Sequence, residues 1–131
     1  MSLPTLGHSL LAIDDEIAIQ HIINHHFKST FTVTTMSNGK EGLDWMEQGN
    51  IPNVIIADID MPVMNGYEFI DQVRSSGFLS HIPLIMLSGH DNSEYRIRCL
   101  EAGADDYMMK PFNPKELAAR VNVFLRRIGK K

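Results

Sequence analysis

Three short stretches hold the residues able to do chemistry. Leu10-Leu11-Ala12-Ile13 runs into Asp14 and Asp15. Val54-Ile55-Ile56-Ala57 runs into Asp58, followed by Ile59-Asp60-Met61-Pro62-Val63-Met64-Asn65-Gly66. Lys110 stands before Pro111-Phe112, after Asp106–Met109. An apolar run too short for a buried helix, ending on an aspartate before a proline and a glycine, suits a buried parallel strand that delivers a carboxylate to the rim of a sheet. Aspartates converging at one point repel each other, and a divalent cation is the natural remedy. Carboxylates with a backbone carbonyl and retained waters suit Mg²⁺. A lysine and a hydroxyl, here Ser88 after Leu84–Leu87, would hold phosphoryl oxygens. The chemistry implied is phosphoryl transfer to a carboxylate, with Asp58 as the nucleophile that becomes an acyl phosphate.

Such a constellation needs a frame. Strands are expected at Ser9–Ile13, Phe31–Thr35, Val54–Ala57, Leu84–Leu87 and Asp106–Met109. The second alternates in polarity, as an edge strand can, whereas the third and fourth are apolar throughout. Helices are expected at Glu16–Phe27, with Ile19, Ile22, Ile23 and Phe27 on one face, at Gly39–Gln48, at Tyr67–Ser75, at Ser93–Ala102 and at Pro114–Arg127. The last carries Leu117, Val121, Phe124, Leu125 and Ile128 at helical spacing. Asn113 is its expected N-cap, Pro114 its first residue, and Glu116 the partner in a capping-box-like pair. Five β-α units imply a parallel sheet with helices on both faces, and ligands then sit beyond the carboxyl ends of the strands. Asp14, Asp15, Asp58, Ser88 and Lys110 all fall on that rim.

A chain of 131 residues with 44% hydrophobic and 21% charged residues is read as a single domain over 1–131, with residues 1–6 expected to be flexible. Its net charge of −4 argues against a nucleic-acid surface on this segment. One cysteine, Cys99, excludes an internal disulfide framework and fits a reducing compartment. No apolar run approaches a membrane span and no signal-peptide pattern opens the chain, so a cytoplasmic location with no membrane partner is expected.

The order and spacing of Asp14-Asp15-Glu16, Asp58 to Gly66, Leu87-Ser88-Gly89 and Gly103-Ala104-Asp105-Asp106-Tyr107-Met108-Met109-Lys110-Pro111-Phe112 resemble the receiver domain of two-component response regulators, over essentially the whole chain. The resemblance implies a flavodoxin-like, doubly wound (βα)5 fold with strand order 2-1-3-4-5. It implies a phosphorelay function rather than an enzyme with turnover. A sensor histidine kinase or histidine phosphotransfer protein would phosphorylate Asp58 with Mg²⁺ (or Mn²⁺) as cofactor. Asp15 and Asp58 would ligate the metal directly, with the main-chain carbonyl of Asp60 as a third ligand and Asp14 acting through water. Ser88 and Lys110 would hold the phosphoryl group, and Ser88 and Tyr107 would form the switch. The peptide bond before Pro111 would be cis. The surface of the fourth helix, fifth strand and fifth helix, with Asp105, Asp106, Glu116, Arg120 and Arg126, would change on activation and make a homodimer, as in regulators with a winged-helix output domain.

Plainer readings compete at several positions. Aspartates favour helix starts, serine before glycine is common in loops, and a tyrosine in a strand packs well without switching. His21 and His25 share a helix face beside His26, but no third ligand is evident and a solvated face is expected. Asp60 and His90, two residues beyond Asp58 and Ser88, are expected to flank the path of the attacking water and to set the lifetime of phospho-Asp58. A haloacid-dehalogenase-like phosphatase also uses Asp-x-Asp, satisfied by Asp58-Ile59-Asp60, but its nucleophile usually lies on the first strand. A pseudo-receiver would not need the intact acidic set. A flavin or dinucleotide site lacks its glycine-rich first loop, because Asp14-Asp15-Glu16 would repel a pyrophosphate.

Overall fold

The computed structural model describes residues 8–90 and 92–129, so the segment 1–6 lies outside the described residues. The elements run β1 (Ser9–Ile13), α1 (Ile17–Phe27), β2 (Thr32–Met36), α2 (Gly39–Glu47), β3 (Val54–Asp58), α3 (Gly66–Ser75), β4 (Leu84–Ser88), α4 (Ser93–Ala102), β5 (Asp106–Met109) and α5 (Pro114–Gly129). Every strand pairing is parallel, in the order β2-β1-β3-β4-β5. The chain leaves β1 toward β2 on one side and takes up β3 on the other, so the order reverses between β1 and β3. That crevice is where a doubly wound sheet binds ligands.

Alternation along each strand divides the core in two. Leu11, Ile13, Ile55, Ala57, Leu84, Met86 and Tyr107 face α2, α3 and α4 through Leu43, Met46, Phe69, Ile70, Val73 and Cys99. Leu10, Ala12, Val54, Ile56, Ile85, Leu87 and Met108 face α1 and α5 through Ile23, Phe27, Leu117 and Val121. β3 and β4 are buried at every residue, as their unbroken apolar runs require.

Several boundaries depart from the sequence expectations for identifiable reasons. β3 and β4 each extend one residue further, taking in Asp58 and Ser88. The ladder is a backbone matter, and Asp58 pairs with Leu87 while Ser88 pairs with Met109. Phe31 is not in β2. Its amide bonds Phe27 O at 2.9 Å, and its ring packs edge-on against Phe27 at 5.5 Å. Ile22 does not join the inner stripe of α1 and is 42% exposed, while Gln20 takes the inner position with Ile23 and Phe27.

Asn113 does accept the Lys115 amide at the start of α5, at 2.8 Å. Glu116, however, turns to Arg120 at 2.9 Å instead of completing a capping box. A full capping box forms on α3, between Asn65 and Glu68. The side chain of Ile128 lies outside the described residues. No helix among the described residues is long and apolar enough to cross a membrane.

Candidate functional site

The site is assembled by the ends of β1, β3, β4 and β5. Asp14 follows β1 and is almost fully buried. Its amide bonds Met36 O on β2, its Oδ1 accepts the Glu16 amide at 2.9 Å, and its carbonyl accepts Gln20 Nε2 at 2.6 Å. Asp14 thus braces the turn that leads into α1 without capping the helix, whose N-cap is Glu16 with no side-chain capping bond. Asp58, last in β3, is only 4% exposed. Gly66 seats the following loop: its amide bonds Ile59 O at 2.7 Å, and a Cβ there would lie 2.6 Å from Ile59 Cα. Gly103 has φ +125°, where a side chain is strained, and a Cβ there would also meet Arg74.

Asp14, Asp15 and Asp58 each offer a carboxylate oxygen within 4.8 Å of the others. Burial, reinforced by the Asp14 charge, pushes the Asp58 carboxyl up to about 6 against the partial relief of Lys110. Burial also raises Asp14 from its ordinary value, with Lys110 and the Glu16 amide pulling it back. Asp14 Oδ2 is buried, with Lys110 Nζ as its ionic partner at 2.9 Å. Three converging carboxylate oxygens, two of them on buried residues, are the hard donor set that a divalent cation takes, so the residues present fit such an ion.

Lys110 Nζ sits 2.7 Å from Glu16 Oε1 and 3.4 Å from Asp58 Oδ1. Burial by itself would lower the lysine's pKa, but its bonds to Glu16 and Asp14 and the Asp58 charge more than reverse this, and the ammonium is retained. The Lys110–Pro111 peptide bond is cis, as the resemblance implies. Asp15, Glu16, Asp58, Asp60, Gly89 and Lys110 line one open cleft of about 560 Å³.

Ser88 is fully buried, and its Oγ accepts the His90 amide at 3.0 Å. Tyr107 is buried, and its hydroxyl donates to the His90 carbonyl at 2.9 Å. Asp60 and His90 touch, with Oδ2 and Nε2 2.9 Å apart. His21 and His25 are exposed on α1, and among the described residues the aspartate group is the only cluster of three or more ligand-type side chains placed to hold a metal.

Sequence reasoning missed four participants. Glu16 was placed in the acidic cluster without its bond to Lys110. Gln20 ties α1 to the carbonyls of Asp14 and Met36; a glutamine at the inner spacing of an apolar stripe was the available clue. Tyr95 stacks on His90, with ring centroids 4.0 Å apart and planes 7° apart. Arg74 binds Gly103 O, Ser80 O, Ile82 O and Asp105, which also accepts the Leu84 amide. Nothing local in the sequence marks the last two.

A five-stranded parallel sheet in this order, with a buried acidic cluster and a lysine at the reversal of strand order, defines a receiver-type architecture. The chain matches the family described as response regulator receiver domain over residues 10–122, and it belongs to that family. It is 41% identical over 122 residues to "Probable transcriptional regulator ycf27" of Guillardia theta, covering 92% of this chain and 46% of the relative. It is 36% identical over 123 residues to "Alkaline phosphatase synthesis transcriptional regulatory protein PhoP" of Bacillus subtilis, covering 93% and 50%. The chain therefore spans about half the length of these curated relatives.

Among solved structures it superposes on the receiver domain of a signal transduction histidine kinase from Syntrophus aciditrophicus (TM-score 0.87, 27% identity, 95% and 94% of the two chains). It also superposes on the chemotaxis response regulator CheY4 of Vibrio cholerae (TM-score 0.82, 32% identity, 89% and 98%). The chain is a two-component receiver domain, a signalling module.

Proposed function

We propose that Asp58 takes a phosphoryl group from the phosphohistidine of a sensor histidine kinase or histidine phosphotransfer protein. The observation that carries this is the convergence of Asp14, Asp15 and Asp58 oxygens within 4.8 Å, with Lys110 Nζ against two of the three. An Asp58 oxygen forms a bond to phosphorus as the P–N bond to the imidazole breaks, and the imidazole leaves with the electron pair. Asp15, Asp58 and the Asp60 carbonyl would hold Mg²⁺ (or Mn²⁺), with Asp14 through water. When bound, the ion offsets carboxylate repulsion and neutralises developing charge on the phosphoryl oxygens. Lys110 supplies a fixed ammonium for one of those oxygens, and Ser88 a hydroxyl for another.

When Ser88 follows the phosphoryl group it must give up the His90 amide. Tyr107, bonded to the same residue's carbonyl, then repacks, shifting the α4-β5-α5 surface between two arrangements. That surface exposes Ile97, Leu100 and Met109, beside Arg120 paired within the chain to Asp106 and Glu116. Exchange of those ion pairs with a second copy would make a homodimer. The full-length protein would pass the signal to a transcriptional output, as the names of its relatives suggest. Asp60 lines the cleft with His90 against it, and the pair would set the lifetime of the acyl phosphate. Dephosphorylation rates of Asp60→Asn and His90→Ala test this, and rates equal to wild type refute it.

The central test is intact mass after incubation with Mg²⁺ and a small acyl phosphate. One phosphoryl group is gained by the wild type and none by Asp58→Asn; no gain in the wild type refutes the reading. Turnover of a generic phosphate ester would instead favour a haloacid-dehalogenase-like phosphatase.

A further inference from the structure

We propose that Tyr95, on α4 and outside the phosphorylation site, is the positioning residue that holds the Asp60–His90 pair closed over Asp58, so that α4 controls the lifetime of the phosphoryl group. This rests on the reading of Asp58 as the phosphoacceptor. Hydrolysis requires a water oxygen to bond phosphorus as the P–O bond to Asp58 breaks. The carboxylate leaves with the electron pair, and a proton passes to bulk water. In-line attack comes from the side opposite the Asp58 oxygen, through the open cleft that Asp58 and Asp60 line.

Asp60 lines that cleft and its Oδ2 meets His90 Nε2 at 2.9 Å, but the contact is exposed, with 38% of the histidine side chain and 63% of the aspartate side chain open to solvent. Such a pair contributes little alone. The stack of Tyr95 on the imidazole, 4.0 Å between centroids at 7°, is the stronger restraint on the ring. Tyr95 is itself fixed from below, half-buried against the core cluster of α2, α3 and α4. Beside it Arg98 covers the Tyr67 ring at 3.8 Å. In the unphosphorylated protein His90 is held at its backbone by Ser88 and Tyr107, which the phosphoryl group draws away, and at its ring by Asp60 and Tyr95. Among these contacts, the ring contact contributed by a helix of the output surface is that of Tyr95.

The test follows loss of phosphoryl from Asp58, in Mg²⁺ after removal of the acyl phosphate donor, in wild type, Tyr95→Phe, Tyr95→Leu, His90→Ala and the Tyr95→Leu/His90→Ala double variant. Tyr95→Phe keeps the stack and the wild-type rate. Tyr95→Leu speeds loss by roughly threefold to tenfold, the range set by the strength of an aromatic pair. In the His90→Ala background, Tyr95→Leu adds nothing, which a general loosening of α4 would not reproduce. The His90 ring protons, shifted upfield by the tyrosine face, return toward ordinary values in Tyr95→Leu but not in Tyr95→Phe. An unchanged rate in Tyr95→Leu, or equal acceleration with and without His90, overturns the proposal while leaving Asp58 as phosphoacceptor. Failure of the wild type to gain a phosphoryl group overturns both.

Discussion

Replacing the phosphoacceptor should make the metal-free protein more stable, and the structure gives the size of the effect. Asp58 is 4% exposed, and its carboxyl is raised from 3.8 to about 6 by burial first and the Asp14 charge second. The folded state therefore binds the Asp58 proton more tightly than the unfolded chain does. Between those two values the folded protein carries a proton that the unfolded chain lacks, so stability rises as pH falls from neutrality through 6 toward 3.8. Above that window the ionised carboxylate costs the fold its full penalty, about 3 kcal/mol at 1.36 kcal/mol per pH unit. Asp58→Asn keeps the shape and removes the charge. Urea unfolding in EDTA at pH ~7.5 should show the variant more stable by about 2–3 kcal/mol, or roughly 5–10 °C in Tm. At pH ~5 the gap should fall to roughly half, because the wild-type carboxyl is then mostly protonated in the fold. Mg²⁺ should close the gap from the other side by stabilising the wild type more than the variant. A variant no more stable than wild type at neutral pH, or a gap that does not narrow on acidification, refutes the electrostatic account of the site.

Three further outcomes follow from other contacts. Lys110→Met removes the ammonium that lies against Asp14 and Asp58, so calorimetric titration should show Mg²⁺ binding about tenfold tighter, roughly 1.4 kcal/mol, while phosphoryl gain from an acyl phosphate collapses. Gly66→Ala puts a methyl 2.6 Å from Ile59 Cα and 3.0 Å from Asp58 O, both backbone atoms that cannot swing away. It should destabilise by about 1–3 kcal/mol in urea and slow phosphorylation by displacing the Asp58 loop. Arg74→Met breaks bonds to Gly103, Ser80, Ile82 and Asp105 together, so a loss of about 3 kcal/mol is expected in denaturant unfolding, with Arg74→Lys recovering only a minor part.

What the sequence determined by itself is the sheet and the rim. Val54–Ala57 and Leu84–Leu87 are apolar at every position because helices cover both faces of a central parallel strand. Burial of that kind is written in composition over a few residues. The polar residues that end those runs, Asp58 and Ser88, and those that follow β1 and β5, Asp14, Asp15 and Lys110, are legible for the same local reason. The sequence also put Asp60 and His90 at one place, because each lies two residues past a strand-end group.

What only the tertiary structure decided is which side chain answers which. Lys110 and Glu16 are 94 residues apart, and Arg74 and Asp105 are 31 apart. No periodicity links such pairs; the packing of α1, α3 and the strand ends brings them together. Glu116 shows the reverse: its spacing from Asn113 suggested a capping box, and the nearer Arg120 captured it. Tyr95 reads in sequence as an ordinary residue on the least apolar helix. Its stack on His90 exists because β4 and the start of α4 are set side by side, and the physics of the cleft mouth follows from that placement.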